Sequence, residues 1–92
     1  MAKLEVKVLV FLSADAKRLL AGQPIHDFTE SGSWFNCTSF TQNGSFVDLA
    51  VIHKQNGEDV IVDISIPVHY VAYTIGADAA KTLGFTPRPE KT

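Results

Sequence analysis

Residues 46–67 read FVDLAVIHKQNGEDVIVDISIP, in which two runs rich in β-branched residues flank the dipeptide Asn56-Gly57. Asn-Gly is the strongest short hairpin signal, because a type I′ turn needs positive φ at both central residues. A two-residue loop here places Val51 opposite Val62, and the pairs in line with them make one face of the hairpin aliphatic. A slip of one residue would invert the two faces, so this stretch fixes its own register.

A second Asn-Gly pair, at positions 43–44, predicts another hairpin immediately before the first. A two-residue loop at this pair places Phe40 opposite Val47 and continues the aliphatic face. The same register puts Asn36 on that face, which is unfavourable for an amide. A β-bulge near Asn36 or Cys37 would correct the mismatch.

The segment before these hairpins predicts a strand, a helix and a loop. Residues 4–12 alternate at first and then become wholly apolar, which favours a strand covered on both faces. Ser13 suits the N-cap of a short helix with apolar residues at helical spacing. Residues 22–33 follow as an ordered loop, which Ile25 and Phe28 can pin to the core.

The segment after the hairpins admits two interpretations. Residues 68–75 have apolar positions at helical spacing, yet their composition favours a strand, which we prefer. A second short helix is predicted at 77–83 and a flexible tail at 86–92. The predicted fold is a single α+β domain over residues 1–85. It has an antiparallel sheet of four or five strands with two short helices packed on one face, in the order β-α-β-β-β-β-α.

Composition and charge limit the kinds of protein that this chain can be. Cys37 is the single cysteine, so no internal disulfide can form, and a reducing, cytoplasmic location is expected. The longest apolar run is too short for a membrane span. Between residues 19 and 80 the chain has several acidic residues but only one basic residue, Lys54. A nucleic-acid binder needs a basic stripe, so we expect neither nucleic-acid nor membrane binding.

No residue pattern predicts a catalytic, metal or cofactor site. The separations of His26, His53 and His69 match no metal-binding motif, and no cysteine pair accompanies them. Cys37 lies in a predicted strand without an activating neighbour, so it resembles a small core residue. The glycines are isolated, so no phosphate-binding loop is present. We therefore predict no metal, no cofactor and no catalytic residue.

The predicted register does point to an interaction surface. A row of three apolar side chains, Phe35, Ile52 and Ile61, crosses three strands on the face opposite the helices, with acids around it. A contiguous apolar surface rimmed by charges is typical of a protein contact. The alternative is that residues 22–33 fold over this face and bury it. The predicted interface consists of Phe35, Phe46, Asp48, Ile52, Ile61 and Asp63.

Two functional hypotheses follow. The first is a non-enzymatic interaction module that acts as a homodimer or binds a larger protein, one with a basic surface, through the outer sheet face. The second is a small enzyme or ligand-binding protein with a pocket between residues 22–33 and the sheet. In that case the first residues to examine are His26, Asp27, Cys37 and Tyr70.

Overall fold

A computed structural model describes residues 4–78 of the chain. The regular elements are β1 (Val8–Leu12), α1 (Ala14–Leu20), β2 (Trp34–Asn43), β3 (Phe46–Gln55), β4 (Glu58–Pro67) and β5 (Val71–Gly76), with 3₁₀ turns at Pro24–Phe28 and Val68–Tyr70. The strands form one antiparallel sheet in the order β4-β3-β2-β1-β5.

The α+β class and the antiparallel sheet agree with the prediction. The strand interpretation of residues 68–75 is confirmed over Val71–Gly76, after a 3₁₀ turn. One complete α-helix lies within the described part. Residues 77 and 78 are helical, as the second predicted helix requires. The rest of that helix lies outside the described residues, as do the domain boundary at 85 and the tail at 86–92.

The hairpin of β3 and β4 has the register that the sequence predicts. Val51 pairs with Val62, and the ladder continues without interruption from the turn to Pro67. Asn56 and Gly57 both have positive φ, 54° and 82°, as a type I′ turn requires.

The turn between β2 and β3 lies one residue later than predicted. Asn43 pairs with Phe46, so the two loop residues are Gly44 and Ser45. Gly44 has φ of +66°, whereas Ser45 is not among the residues with positive φ. This is the pattern of a type II′ turn, which favours glycine at its first central position. The pairing therefore moves by two residues but keeps each side chain on its predicted face.

The predicted bulge in β2 is confirmed. The register of β2 against β3 shifts between Cys37 and Ser39. Because a bulge adds one residue to one strand, every side chain before it changes face relative to an unbulged register. Asn36 consequently leaves the helix-covered face, and Phe35 moves onto it.

The two faces of the sheet carry separate apolar clusters. The face that we call the helix face packs under α1 and the first 3₁₀ turn, and its buried residues include Val10, Phe35 and Val51. Ile25 and Phe28 pack here. The loop at 22–33 therefore does not bury the opposite face through these two side chains, as the alternative interpretation required.

The opposite face, which we call the outer face, is covered in part by the N-terminal segment. Val6 is buried with Leu9 and Ile52, and Leu4 packs against the same cluster. The Leu4 backbone N–H donates to Asp59 Oδ2 at 3.2 Å. The chain before β1 thus crosses the outer face towards the start of β4. No helix within residues 4–78 has the length and apolar character needed to cross a membrane.

Candidate functional site: the outer face of the hairpins

The outer face is exposed at both sides of the sheet. On β5, Tyr73 is 54% exposed where it stacks on Phe11, and a larger polar and apolar surface is exposed on the two hairpins. Its members share three features: they lie on β2, β3 or β4, they alternate with core residues, and they are exposed to solvent. We call this surface the hairpin face; it consists of Ser39, Thr41, Phe46, Asp48, Ile61, Asp63 and Ser65.

Phe35 does not belong to the hairpin face, so its predicted placement is wrong. Phe35 has no exposed surface and lies in the helix-face cluster, opposite Val10 of β1. The cause is the bulge after Cys37, which reverses the alternation of the residues before it. The predicted apolar row across three strands is therefore not formed.

Ile52 lies on the predicted face but is not exposed. Only 5% of its surface is accessible, because Val6 and Leu4 pack over the same cluster. Its cross-strand neighbour Ile61 is 44% exposed. The N-terminal segment therefore covers Ile52 and leaves its partner on the edge strand open.

The four other predicted interface residues are all exposed on this face. Phe46 is 48% exposed, and Asp48 and Asp63 are also exposed. A shallow depression of about 370 Å³ lies between β2, β3 and β4. Its polar lining is formed by Ser39, Thr41, Asp48, Asp63 and Ser65.

The hairpin face has acidic character. Asp48 accepts a hydrogen bond of 2.6 Å from Ser65 Oγ, which orients its carboxylate. Asp63 pairs with Ala50, one step further along the sheet. Lys54 lies near the far end of the same hairpin and forms an ion pair with Asp59 at 3.4 Å. Lys54, the base on the outer side of β3, is thus paired with Asp59 and lies six residues along the strand from Asp48, so it does not neutralise Asp48 or Asp63.

The amide of Asn36 has a structural role that the sequence did not reveal. Asn36 is 3% exposed; its Oδ1 accepts from Trp34 Nε1 at 2.9 Å and its Nδ2 donates to Glu30 Oε2 at 3.1 Å. The Glu30 backbone also pairs with Trp34. Because a buried amide needs partners, this network explains a polar residue beside Leu9 in the sheet. The one sequence signal was its misfit in the unbulged register.

Cys37 cannot serve as a nucleophile in this environment. Its side chain has no exposed surface, and burial raises the pKa of the thiol from 9.0 to about 12. The reactive form of cysteine is the thiolate, which is absent near neutral pH at such a pKa. The interpretation of Cys37 as a small core residue agrees with this placement.

The buried thiol should make the protein less stable at high pH. The unfolded thiol ionises near pH 9 and the folded one near pH 12, so rising pH favours the unfolded state between these values. Below pH 9 the Cys37 thiol is protonated in both states, so its contribution to the free energy of unfolding does not change with pH. In urea denaturation from about pH 8 to about pH 10.5, we expect the native chain to lose more stability than Cys37→Ala. Parallel pH profiles for the two proteins would show that the thiol is not buried.

The remaining candidates for chemistry lie in separate environments. The ring of His53 packs edge-on against Phe28 with centroids 4.6 Å apart, and His69 packs against Tyr70 at 5.0 Å. His26 lies against Gly32, where an added Cβ would come within 2.8 Å of its Nε2. Within residues 4–78, no three His, Cys, Asp or Glu side chains are grouped so that they could hold a metal ion.

Comparison of the chain with protein-family models, with curated protein sequences and with solved structures found no match.

Proposed function

We propose that this chain is a non-enzymatic protein interaction module that binds another protein through its outer sheet face. The observation that carries the proposal is the hairpin face, where exposed Phe46 and Ile61 lie on the same surface as the carboxylates of Asp48 and Asp63. Phe46 and Ile61 lie at the two ends of this face, with Asp48 and Asp63 between them. Exposed apolar side chains beside charged groups are common at protein contact surfaces.

The charge of the hairpin face favours a partner with a basic surface. Asp48 and Asp63 have no basic neighbour on this face, so a lysine or arginine of a partner would complement them. Stacking of two copies face to face would bring like charges together, which is unfavourable. A homodimer is therefore better accommodated elsewhere on the molecule than by stacking of hairpin faces.

The enzyme alternative has less support. It requires polar groups that converge on a pocket beneath residues 22–33. Ile25 and Phe28 of this loop pack against the core, and Cys37 is inaccessible and protonated. Nothing in the geometry of the described residues favours this function over an interaction module.

A basic peptide tests the proposal through matched charge variants. Fluorescein-labelled decalysine is titrated at low salt with the native chain and with Asp48→Asn/Asp63→Asn. We expect the variant to bind about tenfold more weakly, because both carboxylates of the hairpin face are neutralised.

The control for this titration has the same net charge. Asp15→Asn/Asp27→Asn removes two exposed carboxylates from α1 and the first 3₁₀ turn, away from the hairpin face. We expect less than about a twofold loss of affinity for it, since Asp15 is already paired with Arg18 at 2.7 Å and Asp27 lies on a different surface. Equal losses for the two variants would mean that the peptide responds only to net charge, and would contradict the proposal.

A further inference from the structure

The strand β4 forms one edge of the sheet over ten residues, Glu58–Pro67. In an antiparallel ladder, alternate residues bond to the neighbouring strand and the residues between them direct N–H and C=O away from it. The two-residue turn at Asn56-Gly57 makes Glu58, and every second residue after it, bond to β3. The backbone groups of Ile61, Asp63 and Ser65 therefore point outwards, and no segment of residues 4–78 pairs with them.

This edge is protected against pairing only by charge, in the acids Glu58, Asp59 and Asp63. Natural edge strands are commonly short, bulged, or interrupted by lysine or proline. From residue 58 to residue 66 β4 contains neither lysine nor proline, and its register with β3 is unbroken. The opposite edge, β5, has six residues and an irregular register with β1. Of the two edges, β4 is the one suited to adding a strand.

We propose that two copies of this chain pair antiparallel along β4, about a two-fold axis at Val62, to form one continuous sheet. The occupant of the edge is thus a second copy. This pairing defines the interface of a homodimer of the interaction module. The proposal of edge pairing does not depend on whether the hairpin face binds a basic partner.

The charges along β4, together with the length of strand that is paired, select the position of the axis. Outward-bonding residues alternate along the strand, so the axis must pass through a residue. An axis at Ile61 would place Asp59 opposite Asp63 of the second copy, and an axis at Asp63 would place the two copies of Asp63 together. Directly opposed like charges destabilise a sheet. Among the axes that keep all carboxylates apart, the axis at Val62 pairs the longest part of β4, residues 58–66. It opposes Ile61 to Asp63 and Asp59 to Ser65.

The same register matches the apolar residues on the helix face. Val60 of one copy lies opposite Ile64 of the other, and the two Val62 side chains meet at the axis. All three residues are half-buried in the single chain. Pairing would therefore cover their remaining exposed surface. Ile61 and Asp63 of opposite copies would exchange the backbone hydrogen bonds that the single chain leaves unmade.

A cysteine at the axis tests the pairing and its register. Val62 would be a non-hydrogen-bonded pair with its own copy, with Cα atoms about 4.5 Å apart, which a disulfide can span. In the control Val60→Cys, the two Cα atoms would be about 14 Å apart, given a rise of about 3.4 Å per residue. Under mild oxidation we expect Val62→Cys to form a disulfide-linked dimer at least about tenfold faster than Val60→Cys. Native Cys37 is buried and does not compete.

Light scattering after size exclusion provides the second arm. We expect the native chain, at the concentration used for cross-linking, to have twice its mass of 10.0 kDa. Ile61→Pro removes an outward N–H without breaking the ladder to β3 and should give a folded monomer, whereas Ile61→Thr should remain a dimer. A native mass of 10.0 kDa, or cross-linking of Val60→Cys as fast as that of Val62→Cys, would overturn the proposal.

These readouts are separate from the decalysine titration. If Val62→Cys cross-links but the affinity for decalysine does not depend on Asp48 and Asp63, the edge pairing is supported and the proposed role of the hairpin face is refuted. A monomer that binds decalysine through those carboxylates would do the reverse.

Discussion

Phe35→Ala is expected to lower the free energy of unfolding by about 3–5 kcal/mol, as measured by urea denaturation. Phe35 has no exposed surface and packs in the helix-face cluster, so its removal costs the transfer free energy of the ring and leaves a cavity. A domain of this size is stable by only about 5–15 kcal/mol, so this loss removes a large part of its stability. Phe35→Leu, which keeps most of the volume, provides a measurable intermediate.

The matched control for Phe35 is Phe46→Ala on the hairpin face. Phe46 is 48% exposed at the end of the β2–β3 hairpin, so its truncation should change the free energy of unfolding by no more than about 1 kcal/mol. A similar loss for Phe35→Ala and Phe46→Ala would show that Phe35 is on a surface, as the unbulged register predicted.

Ile52→Lys is expected to destabilise the protein by at least about 3 kcal/mol, whereas Ile61→Lys should change its stability by about 0.5 kcal/mol or less. The two residues are direct cross-strand neighbours, yet Ile52 is 5% exposed and Ile61 is 44% exposed. A lysine at position 52 would place its charge beneath Val6 and Leu4. Thermal unfolding followed by circular dichroism measures both variants.

The comparison of these two lysine variants tests how the N-terminal segment lies. If Ile52→Lys and Ile61→Lys were equally stable, residues 4–6 would not cover the outer face. If Ile61→Lys were the less stable of the two, the exposure of the edge strand would be wrong.

The hairpin of β3 and β4 could be predicted from the sequence because two local signals agree there. Asn56-Gly57 selects the turn, and the aliphatic cross-strand pairs in line with Val51 and Val62 select the register. The neighbouring turn could not be placed in the same way, since Gly44-Ser45 satisfies a type II′ turn as readily as Asn43-Gly44 satisfies a type I′ turn.

The interface residues before the bulge could not be placed from the sequence in the same way. The misfit of Asn36 predicted a bulge, but a bulge shifts every residue on one side of it by one position. Phe35 therefore changed face once the bulge was between Cys37 and Ser39. Phe46, Asp48, Ile61 and Asp63 lie on the other side of the bulge, which is why their predicted face was unaffected.

The burial of Ile52 depends on a contact between distant parts of the chain. The Leu4 N–H bonds to Asp59, 55 positions away, and Asp59 also pairs with Lys54. The alternation of residues 4–8 predicts a regular strand and contains no sign that its first residues leave the ladder and cross the sheet. A tertiary contact of this kind has no local sequence signal.

The most direct test of the interaction-module account is the decalysine titration followed residue by residue in ¹H–¹⁵N NMR spectra of the native chain. We expect the largest amide shift changes on the hairpin face, at Asp48, Asp63 and Ser65, and their loss in Asp48→Asn/Asp63→Asn. Shift changes spread over Asp15, Asp27 and Glu58 in proportion to exposed charge would contradict it. In that case the hairpin face would be an ordinary solvated surface.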